Sequence, residues 1–295
     1  MRWVQHCLSH PTDIVASCQR IPMFKSLLIP ALLTTCTTLL MSATGAIAQT
    51  AASPAPSSSS KLSSNGLRST DQVLNQICSF LENQKAFSVD MDITYDDVLT
   101  SGEKVQYSAY QKLSVQKPNR LRSEYVGDER ITNFYYDGKT FTLEAPDQEF
   151  YSTKPAPATL DAALDQFDAN YGITIPMSNL AASKTCADLK TDVQRSIFIG
   201  SDMVNREQMY HILMSGTERD YQIWVTKDQQ PLLRKAIITY KNLPGAPQYT
   251  VYLSNWNFNP QFSADTFSFT PSKNAIKIEM LPSIGTYHLT PQSGN

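Results

Sequence analysis

Between Ser88 and Tyr95 the chain reads SVDMDITY, with Val89, Met91, Ile93 and Tyr95 at odd positions and polar residues at even ones. Successive strand side chains point to opposite faces, so this alternation specifies a strand with one apolar and one wet face. Such a strand needs neighbours at its edges and a cover on its apolar face. Tyr107, Ala109, Leu113 and Val115 repeat the odd pattern, with Gln111 as the lapse. Further strands are expected over 121–126, 131–136, 139–144, 149–153, 196–200, 209–214, 221–226, 234–240 and 249–258. Short connections such as Val126-Gly127-Asp128-Glu129 suit antiparallel neighbours rather than crossovers.

Two amphipathic segments supply the cover. Ser69-Thr70-Asp71-Gln72 has the form of a capping box, and Val73, Leu74, Ile77, Cys78 and Leu81 follow at helical spacing, predicting a helix to about Lys85. Leu160, Ala163, Leu164, Phe167 and Tyr171 form a second stripe, with Asp161, Asp165 and Asp168 facing away. A short helix over 176–182 is also expected. Asp137-Gly138 predicts a two-residue hairpin with both central φ positive, and Ala145-Pro146-Asp147-Gln148 a turn opened by proline. Asp137 and Asp147 therefore read as corner residues, not catalytic or metal-binding ones. The fold class is α+β: a curved antiparallel sheet with helices packed on its concave face. Aromatic residues such as Phe134, Phe141, Trp224, Tyr249 and Trp256 fall almost wholly on the expected strands. They either fill the core or line an apolar trough.

The N-terminus speaks of export. Met23-Phe24-Lys25 precedes an apolar run that ends in small residues, and Ala46-Ile47-Ala48 fits signal-peptide cleavage after Ala48. Met23 is then a rival to Met1 as the initiator. An uncleaved anchor would need about 20 strongly apolar residues, and Pro30 and the threonines 34, 35, 37 and 38 dilute this run. Lipidation at Cys36 is disfavoured by the preceding Thr35. Residues 49–68, rich in Ser, Ala and Pro, read as a tether, 69–282 as a single domain, and 283–295 as a disordered tail that includes His288. The whole chain of 295 residues has a formal charge of −2. Cleavage makes it slightly more acidic, and nothing in that balance favours nucleic acid. It also leaves only Cys78 and Cys186, an even pair in an exported chain: either a disulfide or two buried thiols. A disulfide would close a long loop, an effect of about 4–5 kcal/mol in the chain-entropy model.

Reactive constellations are sparse. No G-x-S-x-G, H-E-x-x-H, phosphate-binding or dinucleotide fingerprint occurs, and no ligand spacing suggests a metal or cofactor. His211, on a strand, could act as a base with Asp220 or Glu218 across a hairpin, or simply hold a local hydrogen bond.

Three stretches carry a family likeness. They are YQIWV from Tyr221, PLLRKAIITYK from Pro231, and the run from Pro247-Gln248-Tyr249 to Leu253-Ser254-Asn255-Trp256. The corner at Tyr136–Thr140 and the segment from Phe267 to Ile278 share it. Over roughly Ser69–Leu281 the chain resembles a bacterial family of predicted periplasmic proteins, domain of unknown function 2092. That family is similar to the superfamily of the lipoprotein carrier LolA and its receptor LolB. The resemblance implies an unclosed antiparallel barrel plugged by helices, and periplasmic residence. No arginine here matches the cavity arginine of those carriers, so cargo does not carry over. The expected role is a non-enzymatic holder of an acyl chain, lipid or lipoprotein tail. Its wall would be Val89, Met91, Ile93 and Tyr95 under Leu160, Leu164 and Phe167. The rival reading is an envelope protein-interaction or sensing module of the same fold.

Overall fold

The computed structural model describes residues 69–187 and 193–283. The expected signal peptide, the tether and all but the first residue of the C-terminal tail lie outside these. Helix α1 (Thr70–Glu82) leads into β1 (Ala86–Val98), β2 (Lys104–Gln116), β3 (Arg120–Gly127), β4 (Ile131–Tyr136), β5 (Thr140–Ala145) and β6 (Phe150–Pro155). Helix α2 (Leu160–Tyr171) and a single 3-10 turn (Ser178–Ala181) follow. Then come β7 (Val193–Val204), β8 (Glu207–Gly216), β9 (Arg219–Thr226), β10 (Leu233–Tyr240), β11 (Gln248–Asn257) and the two-residue β12 (Ile276–Lys277).

All twelve strands make one sheet, in the order β12-β6-β5-β4-β3-β2-β1-β11-β10-β9-β8-β7. Every described pairing is antiparallel except β12 on β6. The sheet does not close: β12 forms one edge and β7 the other. Both helices lie on the face that the alternation makes apolar. Phe87, Val89, Met91 and Ile93 of β1 join the stripes of α1 and α2 in one core, each exposed by 2 % or less.

The helix starts follow local chemistry. Ser69 Oγ accepts from the Gln72 N–H, and the Gln72 side chain accepts from the Ser69 N–H, completing the expected capping box. Gly172, with φ of +65°, ends α2. The lapse at Gln111 also has a purpose. Fully buried among apolar neighbours, its Nε2 donates to Ser123 Oγ (2.9 Å) and to the Pro176 carbonyl (2.9 Å), tying the segment after α2 to the sheet.

One corner departs from expectation. The turn between β4 and β5 is not a two-residue hairpin, and only Gly138 has positive φ (+91°). Asp137 keeps an ordinary backbone because its Oδ1 accepts from the Lys139 and Thr140 N–H groups at 2.9 and 2.8 Å, the local bonding that aspartate brings to turns. At the next corner Gln148 N–H bonds the Ala145 carbonyl (3.1 Å) and Glu149 takes the left-handed position. β12 lacks any sequence signal, because a two-residue parallel strand has no alternation to read.

The face away from the helices is covered in part by the chain itself. After β11, Phe269 packs on Tyr135 and Tyr151, and Arg122 donates to the Thr266 carbonyl. Across β7–β11 this face holds a smaller cluster of Val204, Met209 and Trp224.

Candidate ligand-binding cavity

The capping box fixes where α1 begins, and so fixes its faces. Leu74 and Cys78, four residues apart, turn toward the sheet, while Asp71 and Asn75 lie together on the flank. Cys78 is joined to Cys186, with Cα atoms 5.7 Å apart and a sequence separation of 108, resolving the alternative of free thiols. At the other end of α1, Lys117 Nζ donates to the carbonyls of Leu81 (3.1 Å) and Ala182 (3.3 Å). Burial pushes the Lys117 pKa down, against the opposing pull of Glu82 and Asp161.

Between this clamped helix and the β7 edge lies a half-open cavity of about 350 Å³. Leu74, the Cys78–Cys186 bond, Val193 and Met214 give it apolar lining, and Asp71, Asn75 and Ser196 supply the polar groups. Ser196 and Met214 are direct cross-strand partners on β7 and β8. A second depression, of about 420 Å³, opens widely along the other side of α1 between Phe80, several amide side chains and Pro231. The less open geometry and the greater number of apolar side chains around it make the first the better compartment.

The residues expected from sequence to wall a ligand lie in or against packed core and do not line this cavity. Val89, Met91, Ile93, Leu160 and Phe167 share the main core, with Leu164 and Tyr95 against its margin. Under α2, Phe167 meets Phe134 and Phe141 at centroid distances of 4.9 and 4.8 Å, so rings fill that half of the face. The open volume sits instead beside the disulfide. Cys78 and Cys186 were legible as a pair; their position on a cavity wall was not.

A row of tyrosines continues from Met214 across the same face: Met214 pairs with Tyr221, Tyr221 with Ile238, Ile238 with Tyr249, Tyr249 with Tyr95, and Tyr95 with Tyr107. The Tyr95 hydroxyl bonds Glu129, and burial together with that carboxylate raises its pKa. The Tyr249 hydroxyl is buried without a hydrogen-bond partner among the described residues, and desolvation raises its pKa strongly.

His211 does not pair with Asp220 or Glu218. Strand register sets Asp220 opposite Ser215 and His211 opposite Trp224, on which its ring stacks at 4.1 Å. Its Nδ1 meets Asp202 Oδ2 at 2.6 Å and its Nε2 meets Gln222 Oε1 at 3.2 Å, while Asp220 pairs with Lys241 at 2.8 Å. Asp202 comes from β7, a neighbour that hairpin reasoning along β8 and β9 leaves out. No group of three potential metal ligands occurs among the described residues. None of their helices is long and apolar enough to cross a membrane, which does not bear on membrane barrels.

An unclosed antiparallel sheet thus carries two helices on one face and a half-open, mostly apolar cavity at one edge. Residues 70–281 match one family model, and the chain belongs to that family, described as a predicted periplasmic protein (DUF2092). No curated protein matches it in sequence. Among solved structures it is similar to an uncharacterised conserved protein of Thermus thermophilus (6% identity, 72% of this chain and 99% of that one, TM-score 0.42). It is also similar to the lipoprotein LppX of Mycobacterium tuberculosis (13%, 64% and 95%, TM-score 0.36). A LolA-superfamily protein of Nitrosomonas europaea is a third (12%, 69% and 99%, TM-score 0.33). Likeness at this level says nothing about a ligand.

Proposed function

We propose that the protein is exported through a cleaved signal peptide to the periplasm and there holds a lipid, acyl chain or comparable apolar ligand, without catalysing a reaction. The observation that carries this reading is the cavity between α1 and the β7–β8 pair, walled by Leu74, Val193, Met214 and the disulfide. The packed wall of Val89, Met91, Ile93, Leu160 and Phe167, flanked by Leu164 and Tyr95, is then the closed half of the helix-covered face. At ~30 Å³ for a group the size of water, the cavity takes on the order of a dozen methylenes. Burying them is worth about 10 kcal/mol gross at ~0.8 kcal/mol each. The cost of association, about 4–15 kcal/mol, offsets much of that and leaves a reversible complex suited to a carrier.

Native mass spectrometry of protein exported to an oxidising periplasm and purified without detergent tests the reading. The expected spectrum carries added mass that matches a lipid, is lost on mild organic extraction and is absent from Leu74→Trp. A bare polypeptide from the unmodified protein would overturn it. That outcome would favour the second reading, an envelope interaction module, for which the unpaired β7 edge with Ile199 (48 % exposed) and Met203 (60 % exposed) is the supporting feature.

A further inference from the structure

Resting on that reading, the lining of the cavity says which ligands it takes. We infer that the cavity selects single-chain amphiphiles whose head group carries hydrogen-bond donors and no negative charge. Three observations converge. First, a volume of about 350 Å³ suits one chain, since a dozen methylenes, at the ~30 Å³ of a water-sized group, already fill it. Second, among the described residues that line it none is cationic, and the one ionisable side chain is Asp71. An ionised carboxylate is an acceptor only, so it is satisfied by a hydroxyl or ammonium donor and repels an anionic head. Ser196 adds a hydroxyl that suits an uncharged polar head.

Third, the feature that would otherwise draw an anion here is engaged in part. The start of a helix attracts negative charge through its free N–H groups and dipole. In α1 the Gln72 N–H is taken by Ser69 Oγ, the Ser69 N–H by Gln72 Oε1, and Asp71 itself sits in the first turn. Among the described residues, the charge that an entering head group meets is therefore negative.

Isothermal titration of the disulfide-intact protein at neutral pH with three twelve-carbon probes, each below its micelle concentration, tests this. They are monolauroylglycerol (neutral), dodecylammonium (cationic) and laurate (anionic). The first two are expected to bind about tenfold or more tighter than laurate, through loss of repulsion at Asp71. Asp71→Asn should bring laurate to within about threefold of monolauroylglycerol, because removing the charge removes the discrimination. Ser196→Trp, on an exposed position of β7 that the core does not use, should abolish binding of all three. Laurate binding as tightly as the neutral probe, and blocked by Ser196→Trp, would overturn the head-group inference and leave the carrier reading standing. Failure of every probe, or binding indifferent to Ser196→Trp, would overturn the inference and the assigned cavity together.

Discussion

Tyr249 shows how a single hydroxyl can work against the fold that surrounds it. Its ring contributes to the tyrosine row, but its Oη is removed from solvent without a hydrogen-bond partner among the described residues. An unpaired buried polar group costs about 1–3 kcal/mol, so Tyr249→Phe is expected to stabilise the protein, by about 1 kcal/mol. Urea or guanidinium unfolding measures it, and a loss of stability would show that the hydroxyl is satisfied in solution. The same position sets an alkaline limit. Burial raises the pKa of Tyr249 above the usual value of 10, and Tyr95 and Tyr110 are raised too, Tyr110 to about 12. The folded state then keeps phenolic protons that the unfolded chain has lost. Stability is thus fully present below pH 10 and falls as pH rises through the folded-state values. In Tyr249→Phe that alkaline fall should be shallower over the same range.

At the scale of elements, α1 is the helical wall of the cavity, held by packing and by one covalent link. It lies against β7 and the 3-10 turn, and is fixed covalently at Cys78 and through Lys117 at its C-terminal end. Replacing both cysteines by alanine removes a cross-link over 108 residues. Losses for native disulfides run at about 2–5 kcal/mol. The expected result is a lower unfolding midpoint together with lost lipid retention in native mass spectra; unchanged retention would mean that packing alone holds the helix. The elements themselves were readable because each follows a periodicity: the odd-position residues of β1, the capping box at Ser69, the stripe from Leu160 to Tyr171. What could not be read was where the face stays unfilled. Helical spacing places Leu74 and Phe167 alike on buried faces, yet Phe167 closes against Phe134 and Phe141 while Leu74 borders open space. That difference depends on which strand each helix covers, and so on long-range order. The same limit applies to His211, whose partner Asp202 comes from a strand that the β8–β9 hairpin does not contain.

For the molecule as a whole, an unclosed sheet of twelve strands has two edges, each a template for pairing with another chain. They are treated differently. β7 is interrupted by irregular register at Val193/Arg195 and at Phe198/Gly200, which breaks a flat ladder. β6 carries no such break, and the C-terminal segment covers it instead. Phe269 anchors on Tyr135 and Tyr151, Ile276 and Lys277 pair with Phe150 and Tyr151, Lys154 pairs with Glu279, and the Ser283 N–H reaches the Asn170 carbonyl in the last turn of α2. The segment thus runs from the outer face, around the edge, to the helix side. Truncation after Asn274 would leave Phe269 in place and bare the edge, while also removing Met280 from the margin of the core and the Ser283–Asn170 bond. That variant should self-associate in a concentration-dependent way by sedimentation velocity, while truncation after Ser283 should behave as the full chain does. Equal sedimentation of the two would mean that β6 needs no cover. The geometry would then leave the packing of Met280 against the core and the Ser283–Asn170 bond as the reasons for the segment's place.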